Sequence, residues 1–135
     1  MKATLFALFV ALLMVGCGED VVDGSKLQDR NGVTYLPNEE TPFTGRAESF
    51  YENGQKKEER NYKDGKWDGF YTVWYRNGQK EEESNWRDGK LMFAFVWKPN
   101  GEKCPVTNVK DGNGVLVWYN DDGTERGRHT YKDGE

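Results

Sequence analysis

The sequence predicts an all-β fold: an elongated antiparallel β-meander of tandem β-hairpin repeats, preceded by a signal-peptide helix. Three observations predict it. Asn-Gly or Asp-Gly pairs punctuate the chain at fixed intervals, aromatic and β-branched runs fill the segments between them, and no amphipathic helical stripe follows the first apolar run. The pairs are Asn53-Gly54, Asp64-Gly65, Asn77-Gly78, Asp88-Gly89, Asn100-Gly101, Asp111-Gly112, Asp122-Gly123 and Asp133-Gly134. Such dipeptides suit two-residue type I′ turns, whose central residues need φ > 0 and whose twist matches the flanking strands. Gly54, Gly65, Gly78, Gly89, Gly101, Gly112, Gly123 and Gly134 are therefore expected to be structural turn residues.

The opening 16 residues form a unit of their own. Met1-Lys2 precede an apolar run from Leu5 to Val15, and small Gly16 stands before Cys17. The run is shorter than the ~20 apolar residues that span a bilayer, so it reads as a secretory signal. Met14-Val15-Gly16-Cys17 resembles the processing box of a bacterial lipoprotein, which implies that Cys17 is acylated and becomes the mature N-terminus. The resemblance implies an exported, membrane-anchored protein facing the periplasm or the cell surface, on the outer membrane if the host is Gram-negative. Residues 17–28, small and polar, read as a tether. Residues 29–42 read as an N-terminal capping segment, with Val33-Thr34-Tyr35-Leu36 a strand covering the first sheet edge and Pro37 limiting it.

Four repeats then occupy 43–135, at about 45–68, 69–91, 92–113 and 114–135. The two turn glycines of each repeat are always 11 residues apart, and nine residues before the first stand Gly45, Gly69, Met92 and Gly114. Only the link between repeats varies, so the strands are units of constant length. Taking Asn77-Gly78 as the loop places Gly69 opposite Trp86. The same reckoning places Gly45 opposite Tyr62, Met92 opposite Val109 and Gly114 opposite Tyr131. A large aromatic thus faces each glycine, as expected if a ring covers the bare backbone across the ladder.

Composition narrows the function. Nineteen basic against 23 acidic residues give a net charge of -4, which becomes -5 without Lys2, the single charge of the leader. That sign disfavours nucleic acid, which needs a positive field. With Cys17 lipidated, Cys104 has no intrachain partner, which excludes a disulfide framework. Cys104 falls in the column of Lys57, Glu81 and Arg126 and is expected to be exposed. His129, the single histidine, reads as a surface residue. Neither makes a catalytic triad, and no zinc set, phosphate loop or calcium loop is spelled out, so no enzyme, metal or cofactor is expected. The aromatic excess is read mainly as repeat core. The remainder, Trp74, Trp97, Trp118, Tyr71, Tyr75 and Tyr119, is the candidate binding surface.

Tyr62-Lys63-Asp64-Gly65-Lys66-Trp67-Asp68-Gly69, followed by Asn77-Gly78-Gln79-Lys80, resembles the bacterial variant of the MORN repeat found in YwqK-type antitoxin proteins. Pro42-Phe43-Thr44-Gly45 resembles that family's entry segment. The resemblance covers roughly 43–135 and implies a recognition scaffold without catalytic residues. The expected partner is a protein at the bacterial envelope. The alternatives are a glycan or peptidoglycan ligand held on the aromatic stripes, and an envelope immunity lipoprotein.

Overall fold

The computed structural model describes residues 20–135. The leader, its helix and the lipidation candidate Cys17 lie outside the described residues. Ten strands follow: β1 Val21–Asp23, β2 Gln28–Arg30, β3 Val33–Tyr35, β4 Gly45–Phe50, β5 Lys56–Lys63, β6 Lys66–Trp74, β7 Lys80–Arg87, β8 Lys90–Val96, β9 Gly114–Tyr119 and β10 Glu125–Tyr131. The main sheet has six strands in the order β1-β4-β5-β6-β7-β8, while β9 pairs with β10 and β2 with β3 in two small sheets.

The N-terminal segment differs from expectation. Val21–Asp23 is no tether: it joins the sheet edge as a parallel neighbour of β4, with Val22 opposite Ala47, and is followed by a 3-10 turn at Gly24–Lys26. Two β-branched residues suit a strand, and Val22 contributes to the small core of Phe43, Ala47 and Tyr62. β3 does not cap the main sheet either. It pairs with β2 around Asn31-Gly32, and this hairpin lies in the crossover that a parallel pairing requires.

The turns fall into two kinds. At Asp64-Gly65, Asp88-Gly89, Asp111-Gly112 and Asp133-Gly134 both residues have positive φ, as type I′ demands. Asn31-Gly32 behaves likewise, whereas at Asn53-Gly54, Asn77-Gly78, Asn100-Gly101 and Asp122-Gly123 only the glycines have positive φ. Gly54 N–H donates to Tyr51 O and Tyr51 N–H donates to Gln55 O, at 2.9 and 2.8 Å. That is a type I turn closed by a left-handed glycine, a three-residue loop. The Asn side chain has a separate task, accepting from the backbone N–H two residues on, as at Asn53, Asn77, Asn100 and Asp122.

Despite the different loop, the expected register holds in three repeats: Gly45 faces Tyr62, Gly69 faces Trp86 and Gly114 faces Tyr131. The three-residue loop shifts the pairing by one, and a β-bulge shifts it back. The extra residues are Lys57, Glu81 and Arg126. The third repeat breaks here. Its bulge column holds Cys104, followed by Pro105 where the other repeats have Glu58, Glu82 and Gly127. A bulge needs the second residue's N–H as well as the first, and proline has none. Cys104 N–H still donates to Val96 O at 2.8 Å, but no regular strand follows. Met92 therefore has no ladder partner at Val109; instead Ala94 N–H reaches Val109 O at 3.4 Å. Thr107 and Asn108 turn to β9, where their side chains accept from Val117 and Val115 N–H. The four-hairpin meander is thus interrupted, and β9–β10 forms a separate pair docked by a core of Leu91, Ala94, Val96, Cys104, Val109, Leu116, Val117 and Tyr119.

The glycines facing aromatics are explained by backbone conformation. Gly45, Gly69 and Gly114 have φ of 150°, 105° and 137°. A Cβ at Gly69 would lie 3.2 Å from Asn61 Cβ, not against Trp86. Gly69→Ala is therefore expected to cost about 1–3 kcal/mol, equally in the parent and in a Trp86→Ala background. A double-mutant cycle by urea denaturation checks this, and a coupling above about 1 kcal/mol would restore the ring-over-glycine explanation.

Candidate functional site

Alternation along the strands gives the main sheet two unlike faces. One carries Ala47, Tyr62, Ser84, Leu91, Ala94 and Val96, all buried. The other carries Val21, Phe50, Phe70 and Phe95, which are four of the five large apolar side chains that stand exposed among the described residues, at 48, 56, 53 and 39%. Their common face follows from the register: Phe70 and Phe93 both oppose Asn85, and Phe95 opposes Glu83. On the β6–β8 side the rings run on continuously. Phe70–Phe93, Phe93–Phe95 and Phe95–Trp97 centroids are 6.3, 5.8 and 6.4 Å apart. Lysines lie over this row, with Lys103 Nζ 4.6 Å from the Phe95 ring centre and Lys80 Nζ 5.6 Å from Trp97.

The structure scatters the six aromatics chosen from the sequence. Trp74 and Trp97 share the open face, half-buried, with Lys56 Nζ 5.8 Å from the Trp74 ring. Tyr71 lies on the opposite face across from Ser84, where burial foremost and the Glu58 and Glu82 charges raise its pKa. Tyr75 is 2% exposed and donates to Trp97 O at 2.7 Å, so it is a strut between repeats, as Tyr51 is to Trp74 O. Tyr119 is also buried, with its hydroxyl 3.1 Å from Cys104 Sγ; that contact, then burial, pushes its pKa up to about 12. Trp118 packs on the core and donates from Nε1 to Glu82 Oε2 at 3.1 Å. The exposed row of rings on this face is chiefly phenylalanine, outside the tryptophan and tyrosine positions expected to form a surface. The signal was present: Phe70, Phe93 and Phe95 alternate with residues of the inner face.

Cys104 is 4% exposed, opposite to expectation. Where the third repeat departs from regular pairing, the Cys104 side chain turns into the core beside Tyr119. Burial pushes the thiol up, yet hydrogen bonds from Thr107 and Tyr119 and from the Thr107 and Val106 backbone outweigh it, and its pKa is lowered. His129 is exposed on β10 with its ring 4.8 Å from Tyr131. Among the described residues, no group of three His, Cys, Asp or Glu is arranged to hold a metal, and no helix is long and apolar enough to cross a membrane.

Two buried carboxylates join the terminal hairpin to the main sheet. Glu81 and Glu82 are 6 and 4% exposed; Arg126 Nη2 lies 3.1 Å from Glu81 Oε1, and Trp118 donates to Glu82. Burial is the largest influence on both and holds both above the ordinary carboxylate range. As pH rises past the ordinary value of 4.5, the unfolded chain releases these protons first, so the folded state loses stability until its own carboxyls have ionised. Glu82→Gln keeps an acceptor for Trp118 and removes the buried charge. Its melting temperature relative to the parent is expected to be higher at pH 8 than at pH 4; the reverse order would give the wrong sign to this account.

The fold and this face define a class: a hairpin-repeat array presenting one open aromatic face. Residues 43–64, which hold the first hairpin and its Asn53-Gly54 turn, match a family model described as MORN repeat variant. No curated protein and no solved structure matches the chain.

Proposed function

We propose that this chain is a non-catalytic, membrane-tethered repeat scaffold that recognises a protein partner at the bacterial cell envelope, anchored through a lipid on Cys17. The observation that carries the reading is the exposed Phe70 and Phe95, continuous through Phe93 with Trp97, with Phe50 exposed on the same sheet face. Apolar rings left in water at this density are costly unless something covers them, and aromatic anchors dominate protein interfaces. The match of residues 43–64 to a repeat rather than a catalytic family supports the same reading.

A glycan ligand is less well supported, because sugars stack on open ring faces and the Trp74 and Trp97 rings each carry a lysine ammonium. The test is a photocrosslinking amino acid at Phe70 or Phe95 in the native envelope, with Asn53 and Lys132 as control positions. Discrete protein adducts from the first two positions alone are expected. Adducts equally from all four, or a tryptophan fluorescence shift with millimolar cell-wall fragments, would overturn the reading. Cys17→Ser is expected to release the chain from the membrane fraction.

A further inference from the structure

The break in the third repeat creates a groove with a chemistry of its own. Between β8 and the bowed segment 103–111 lies a cavity of about 580 Å³, with Met92, Phe93, Phe95 and Val109 among its lining. Its charged lining is Arg87, Lys103, Lys110 and Asp111, three cations against one carboxylate, on a chain whose net charge is -4. Among the described residues, nine other cationic side chains form ion pairs: Arg46, Lys56, Arg60, Lys66, Lys80, Lys90, Lys98, Arg126 and Arg128. None of these ion pairs uses Arg87, Lys103 or Lys110. Cations left unpaired around an apolar floor attract a ligand that is both acidic and apolar.

We propose that this groove binds an extended acidic peptide carrying an apolar anchor, with the anchor between Phe93 and Val109 and its carboxylates against Arg87, Lys103 and Lys110. The proposal rests on the protein-recognition reading and names the part of the face that gives it specificity. A peptide fits better than a membrane surface, because the site is a concavity beside a strand and not a protruding basic patch. The regular repeats cannot form it: Met92 stands where they have glycine, and Pro105 bows out the strand that would fill it.

The test is selection from a random peptide library displayed on phage against the full chain, followed by anisotropy titration. The enriched peptides are expected to combine Asp or Glu with Phe, Leu or Met. They should bind the Arg87→Glu/Lys103→Glu/Lys110→Glu variant about tenfold more weakly, and weaken with salt. All three side chains are at the surface, so the variant's thermal melt serves as the folding control. Peptides that bind parent and variant alike would overturn the groove while leaving a recognition scaffold. No enrichment, or binding only to anionic vesicles of phosphatidylglycerol, would overturn the inference, and the vesicle result would overturn the protein-partner reading with it.

Discussion

Leu91→Ala is expected to remove about 2–5 kcal/mol of stability and to loosen the terminal hairpin before the main sheet. Leu91 has no exposed surface and belongs to the cluster that joins β8 to β9. It lies opposite Trp86, and its N–H donates to Gly134 O at 3.1 Å, so both side chain and backbone serve the junction. Truncation leaves a void where rigid strands meet, and strands collapse poorly around a void. Urea denaturation measures the loss, and hydrogen exchange locates it. A cost under about 1 kcal/mol, or protection lost first in β4–β5, would show that the junction is not the keystone described.

Gly65→Ala is expected to cost far more than Gly54→Ala, although both glycines have φ near 80°. At Gly54 an added methyl meets nothing within 4 Å. Only the left-handed backbone is strained, about 1 kcal/mol. At Gly65 the methyl would press into the Val33 side chain and stand 2.9 Å from Thr34 O. Thr34 N–H donates to Gly65 O, and Gly65 N–H donates to Phe43 O, both at 2.8 Å, so the neighbours are backbone and cannot retreat without breaking bonds. Overpacking adds about 1–3 kcal/mol. Equal midpoints for the two variants in urea would show that the β2–β3 hairpin does not press on the turn.

The register was legible in the sequence for an instructive reason. Treating Asn77-Gly78 as a two-residue turn misjudges the loop by one, and overlooking the bulge at Glu81 misjudges it by one in the other direction. The two omissions cancel because every intact repeat couples that loop to that bulge. Burial was less legible, because the bulge column does not share one environment: Lys57 and Arg126 are exposed, Glu81 is buried, and Cys104, expected to be exposed from the company of its column, is buried too. Pro105 is a sequence signal of a barrier to strand pairing, and the constant spacing of the glycines conceals it. Another local signal was missed. The residue before each intact repeat's glycine, Thr44, Asp68 or Asn113, accepts from the N–H of Asp64, Asp88 or Asp133, 20 residues on. The third repeat has Leu91 there and no such acceptor. Parallel pairing of β1 could not be foreseen, because its partner Arg46 is remote in sequence and carries no local turn signature. The aromatic excess pointed to surface aromatics, but neither the single open face nor its phenylalanines could be read from the tryptophan and tyrosine columns.

The strand at Val21–Asp23 has a geometric consequence for attachment. If an acyl chain sits on Cys17, as proposed, three peptide units separate the anchor from Asp20, whose carbonyl accepts from Arg46 N–H at 2.8 Å. Fully stretched, they span about 10 Å, little more than the ~5–8 Å depth of one headgroup layer. The ribbon would then stand with its β1 rim close against the bilayer and sample few orientations. Partners in the same membrane would meet it side-on, and those arriving from the aqueous side would find the far end, where the broken repeat lies.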